Sequence, residues 1–138
     1  MKRLFNVGAA SCTTDTVILI ARVGIAALML SHGLPKMMAL LSSEPVQFMP
    51  VMGMSAEFSL ALAVFAEVIC SILILMGFAT RLATIPLIIT MLIAVFFVHL
   101  ADPFAKMELA LHYLLVYIIL LITGSGKYSV DYLCCQKS

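Results

Sequence analysis

Six side chains in this sequence could handle protons inside an otherwise apolar chain: His32, Lys36, Glu67, His99, Glu108 and His112. His32 and Lys36 are four residues apart, as are Glu108 and His112, so each pair projects from one face of a helix. Glu67 stands alone inside a long apolar run, too deep for its carboxylate to snorkel easily to water, which points to a functional or site-organising role. A histidine or carboxylate tuned by its surroundings can pass a proton to a reacting oxygen. Joined to an apolar wall, such groups suit a quinone head group, because reducing each quinone oxygen requires a proton alongside an electron. The chain carries no electron carrier of its own, so that chemistry needs a partner oxidoreductase, and no residue is assigned a catalytic role.

Three histidines and two glutamates at one level also raise a metal site. Their spacing contains neither HExxH nor a pair of ExxH motifs, so no metal is expected, and haem ligation by two histidines has no better support. The methionines show no ligand spacing and read as packing residues. Cys12, Cys70, Cys134 and Cys135 lack CxxC spacing, which argues against a zinc or thioredoxin-type centre and gives no disulfide framework. Cys70, inside an apolar run, reads as a small buried hydrophobe. Acylation of the Cys134–Cys135 pair beside the membrane is the less favoured reading of that tail.

The elements that must position these groups follow from composition. Of 138 residues, 64% are hydrophobic and only 11% charged, with a mean hydropathy of +1.17. A soluble domain is typically about 45–50% apolar and about 25% charged, so this is an integral membrane protein. The formal charge of +1 offers no field to attract nucleic acid. Apolar runs predict an all-α, single-domain bundle over residues 1–138 with four spans, at about residues 16–38, 57–76, 82–100 and 107–123. A short interfacial helix is expected near Leu4 to Ala10. Arg22 interrupts the first apolar run, which continues to Leu41, so that run reads as a retained span rather than a signal peptide. Residues 39–56 form the longest loop; Phe48, Met49, Val51 and Met52 make it too apolar to float in water, so it is expected to fold back as a lid. Pro86 is expected in the first turns of the third span, where a missing donor costs least.

Lys2, Arg3, Arg81, Lys127 and Lys137 fall on one side of a four-span chain, against Lys36 and Lys106 on the other, which predicts cytoplasmic termini. From the cytoplasmic ends, at about 1.5 Å per residue, Glu67 and His112 lie about 14–18 Å up, His32 and Glu108 about 24 Å, and His99 and Lys36 about 26–30 Å. Every span therefore contributes to one layer in the outer half. Ionisable groups at such depths are costly against lipid, so they are expected to converge on one pocket, with Glu67 pairing with Lys36 or a protonated histidine. Arg22, about 9 Å from the inner face on the same scale, is expected to be structural, reaching phosphates or Asp131. Arg81 is placed with them as a structural residue.

Several of these pieces recur in order. Arg22, Gly24, His32-Gly33 with Lys36, the Phe48 to Gly53 loop, Glu67, Gly77 with Thr80-Arg81, His99 with Pro103-Phe104, Glu108-Leu109-Ala110 and the closing Gly124-x-Gly126-x-x-Ser129-x-Asp131 together resemble the DoxX family of small four-span bacterial membrane proteins. The resemblance covers roughly residues 16–132 and implies a four-helix bundle in the bacterial inner membrane. Its relatives include a small subunit associated with thiosulfate:quinone oxidoreduction and terminal quinol oxidation, and others linked to redox and detoxification enzymes. The sequence departs from the pattern at Val68-Ile69-Cys70-Ser71, where a glycine-rich stretch is usual, and at His112, a position that is often apolar. The expectation is a membrane subunit that binds a quinone or similar redox molecule beside a partner protein, in contact with lipid and open to homo-oligomerisation. A non-enzymatic scaffold is the alternative. A small-solute transporter is a third, less favoured because no inverted repeat is present.

Overall fold

The computed structural model describes residues 12–42 and 44–135. The helix expected near Leu4 to Ala10, and the cations Lys2, Arg3 and Lys137 used for orientation, lie outside the described residues. The described chain is all-helical. α1 spans Cys12–Leu41, α2 Ala56–Met76, α3 Thr80–Val98 and α4 Phe104–Thr123, and a short α5 covers Val130–Cys135. The first four are long and apolar enough to cross a membrane, since about 20 residues at 1.5 Å rise match a hydrocarbon core of about 30 Å. α1, with 30 residues, overshoots that thickness.

Sequential helices pack side by side, and α4 closes the ring against α1. α2 is the inner wall: 56% of its window is buried, against 22–28% for the other three spans. The core runs along the bundle axis through Ala26, Met29, Ile74, Leu87, Tyr117 and Leu120. Small residues, including Ala66, Ala83 and Ala110, let the helices approach closely, as membrane helices do when lipid offers no hydrophobic incentive for association.

Two stretches depart from α-helical winding. Phe65–Cys70 in α2 and Ala94–Val98 in α3 are π-helical, and such wide turns favour functional sites. In α2 the wide turn brings three consecutive residues, Ala66, Glu67 and Val68, out of solvent together. Pro86 lies further into its helix than the sequence suggests, because α3 already starts at Thr80. There it removes the bond to the Leu82 carbonyl, and Thr90 Oγ1 donates to the Pro86 carbonyl at 2.9 Å.

At the loop end of the bundle, the segment after α1 folds back as expected. Val46 and Phe48 pack on Leu60, Val64 and Val68 of α2, and the Val51 amide donates to buried Ser59 Oγ at 3.1 Å. Ser55 caps α2 by accepting from the Phe58 amide. At the terminal end, Arg22 is buried and donates to the carbonyls of Ser125 (2.6 Å) and Tyr128 (2.7 Å), with Asp131 close enough to act on its charge. Asp131 accepts from the Ala79 and Thr80 amides at the start of α3. Arg81 donates to the Ile122 carbonyl at 3.2 Å. Arg22 and Asp131 thus tie the final segment to the bundle, and Arg81 ties the start of α3 to the end of α4. Gly77, in a left-handed conformation at the end of α2, faces the Arg22 guanidinium so closely that a Cβ would collide with it.

Candidate functional site

The polar layer centres on the wide turn of α2. Glu67 is buried, and Lys36 of α1 donates to its Oε1 at 2.5 Å, the two side chains being 3% and 34% exposed. The pair forms because α1 approaches α2 at Gly33: a Cβ there would stand 2.9 Å from Val68 Cγ2 and 3.0 Å from Glu67 Cβ. Only a residue without a side chain allows that approach without movement. One turn further on, Lys36 reaches across the gap instead of snorkelling away, its ammonium 6.0 Å from the centre of the Phe48 ring. Glu67 Oε2 is buried and has no hydrogen-bond partner among the described residues. It is therefore a buried acceptor left without a donor, and leaving such an atom unsatisfied costs about 1–3 kcal/mol.

His99 comes to the same place from the end of α3. Its Nδ1 lies 2.8 Å from Asp102 Oδ2, and Lys106 Nζ lies 3.4 Å from Oδ1. Asp102 is held below the usual carboxylate range, chiefly by the hydrogen bond with His99; burial opposes this, and the Lys106 charge adds a smaller lowering. A carboxylate on Nδ1 fixes the ring so that Nε2 is left to exchange a proton. His32, more exposed, meets the Tyr113 ring edge-on with centroids 5.9 Å apart.

Two cavities meet at these groups. A central one of about 130 Å³ is bordered by His32, Lys36, Glu67, His99 and Tyr113. A larger one of about 540 Å³ shares Lys36, Glu67 and His99 but is otherwise walled mainly by apolar side chains of α2 and α3. The small cavity is close to the roughly 150 Å³ that can hold one benzene ring. Lys36 also borders a third, loop-end cavity of about 510 Å³ with Ser42, Glu44 and Gln47.

Of the six residues expected to converge, His32, Lys36, Glu67 and His99 do so. Glu108 and His112 do not: both are exposed on α4 and line neither cavity. His112 Nδ1 instead meets the Glu108 carbonyl of its own helix at 2.7 Å. The reason is helical phase. Ala110, Tyr113, Tyr117 and Leu120 form the buried stripe of α4, and 108 and 112 fall beside it. Sequence reasoning missed Tyr113 and Asp102. Asp102, three residues after His99, carried a spacing signal; Tyr113 carried one in its period with Tyr117 and Leu120. Among the described residues no three histidine, cysteine or acidic side chains gather as metal ligands would.

A family model described as DoxX matches residues 17–100, more than half of the chain. No curated protein and no solved structure matches the chain.

Proposed function

The chain belongs to the DoxX family and is built as a multi-pass membrane protein, and on that premise we propose that it binds a quinone or similar small redox molecule as the membrane subunit of an oxidoreductase system. The observation that carries this reading is the unpartnered, buried Oε2 of Glu67 beside Lys36, on the border of a ring-sized cavity. The residues fit such a ligand. Lys36 offers a charged donor, Glu67 an acceptor and His99 a proton-exchanging nitrogen, against walls formed by Met29, Met91 and Ala94. A bound quinone would supply the capacity to take up electrons and protons together. Lys36 would orient a ring oxygen, and Glu67 would accept from a ring hydroxyl. His99, aligned by Asp102, would move protons at Nε2 while a partner oxidoreductase handles electrons. The cation bias supports placing the termini in the cytoplasm of a bacterium and the site in the outer half of its inner membrane.

A second reading has its own support. Glu108 and His112 are exposed on a helix whose other exposed residues are mostly apolar, and ionisable groups are costly against lipid. That favours a partner-binding face on α4, which a scaffold subunit would also have. Thermal denaturation separates the two. A tail-less benzoquinone should raise the Tm of the purified protein with increasing concentration, because a ligand that binds only the folded state stabilises it by mass action. The rise should shrink in Glu67→Gln and Lys36→Met. No rise at saturating quinone with folded protein would leave the scaffold reading in its place.

A further inference from the structure

The larger cavity contains more than a ring requires, and its shape bears on how a ligand arrives. α2 packs against α3 through its second half, from Phe65 onward, whereas Ala56–Val64 is scarcely in contact with α3. The two helices therefore part toward the loop end, and the cavity of about 540 Å³ fills the gap. Its walls are Leu62, Ala63 and Phe65 on one side and Pro86, Ile89 and Ile93 on the other. Phe48, Val51 and Met54 of the folded-back segment close it at the loop end. Phe65 and Ile89 are 51% and 52% exposed, so the mouth between them opens sideways, on the surface that hydrocarbon covers in a bilayer. The charged groups on its wall are Lys36, Glu67 and His99.

We propose that this groove between α2 and α3 holds the hydrocarbon tail of a bilayer-dissolved amphiphile whose polar head sits at Lys36, Glu67 and His99, and that the ligand enters sideways from the membrane. The proposal rests on the reading of those three residues as a head-group site and specifies its substrate class: a compact hydrogen-bonding head on a long apolar tail. The central cavity is too small for both parts, and the groove supplies room of the size usual for ligand pockets, about 300–1,000 Å³. Burying a tail taken from lipid gains little hydrophobic free energy, because lipid is as apolar as the groove. The groove therefore fixes where the tail lies rather than how tightly the ligand binds, and the test must read position.

The probe is a benzoquinone carrying a medium-length alkyl chain that ends in a diazirine, photolysed with the full chain in lipid nanodiscs. Cross-links should concentrate on residues 62–66 and 86–93, and excess tail-less benzoquinone should suppress them by taking the head site. Ala63→Phe, which fills the groove, and Ile89→Trp, which narrows its exposed mouth and is the safer variant for folding, should each reduce those cross-links at least fivefold. Both should leave the Tm rise with tail-less quinone in place. Cross-links spread evenly over the lipid-facing surfaces of all four long helices, with the tail-less Tm rise intact, would overturn the groove and keep the head site. Groove cross-links that tail-less quinone does not suppress, without any Tm rise, would overturn the head-group reading and the proposal resting on it.

Discussion

Lys36 Nζ lies 2.5 Å from Glu67 Oε1, joining α1 to the wide turn of α2 by an ion pair whose acid is buried and whose base is one-third exposed. The asymmetry sets the energetics. Removing the lysine strands a carboxylate in an apolar bundle, whereas neutralising the acid leaves a lysine that can still turn toward the loop-end cavity. Breaking a fully buried pair costs about 3–5 kcal/mol; partial exposure of Lys36 lowers the expectation for Lys36→Met to about 2 kcal/mol. Glu67→Gln should cost less than Glu67→Leu, because the amide still accepts a hydrogen bond. The double variant Lys36→Met with Glu67→Gln should regain part of the lysine variant's loss. Denaturation in detergent measures all four, and equal stabilities would mean that the pair organises nothing.

Gly33 and Gly24, both on α1, should respond oppositely to alanine. At Gly33 the new methyl meets Val68 Cγ2 at 2.9 Å and the Glu67 backbone carbon at 3.1 Å, whereas at Gly24 nothing lies within 4 Å. Gly33→Ala is expected to destabilise by about 1–3 kcal/mol through overpacking and to weaken ligand binding by moving Lys36. Gly24→Ala should be neutral or stabilising by up to about 1 kcal/mol, from helix propensity. The comparison is direct if both variants are melted with and without quinone.

Asp102 gives a pH signature. Its folded pKa is depressed, chiefly by the His99 hydrogen bond, so its contribution is present above the unfolded value of about 3.9 and is lost as pH falls through the lower folded value. The Tm difference between wild type and Asp102→Asn should shrink as pH falls below about 4. A difference that grows on acidification would contradict the assigned contact. The Asp102 side chain is one-third exposed, so the effect should be small and sensitive to salt.

At the terminal end, Arg22→Leu would strip the Ser125 and Tyr128 carbonyls of their buried donor, at about 1–3 kcal/mol for each group left without water. The expected outcome is faster proteolytic cleavage within residues 124–135. The quinone-dependent Tm rise should persist, because Arg22 lies about three helical turns along α1 from Gly33, where α1 meets Glu67. Unchanged protease resistance would show that Arg22 does not hold the final segment.

The spans were legible because a bilayer needs runs of a set length, and Glu67 was legible because no other residue in α2 after Glu57 carries a charge. The phase of each helix was harder to read. In water, the polar side of a helix betrays its inner face, but in lipid both sides are apolar. Leu111 and Leu115 point outward on α4 while Leu120 points inward, and nothing in their type says so. That is why the spacing of Glu108 and His112 suggested a converging pair. The approach at Gly33 and the parting of α2 from α3 depend on contacts between segments, which no spacing within one segment records.

The two wide turns, in α2 and α3, flank the same cavity, and their consequence lies in counting. A π-helical turn takes in roughly one residue more than an α-helical turn, so everything beyond it is rotated by about 100° relative to an uninterrupted helix. Deleting one residue from Phe65–Cys70 would leave a span of nearly the same composition, still long enough to cross a bilayer, but with the two halves of α2 out of phase. Glu67 and the Ala63 side of the groove could then no longer face their present neighbours together. Part of the site is thus stored as an extra residue rather than as a kind of residue. Among relatives, a gap of one position here would separate proteins that keep this pocket from proteins that keep only the bundle, even where every charged residue aligns.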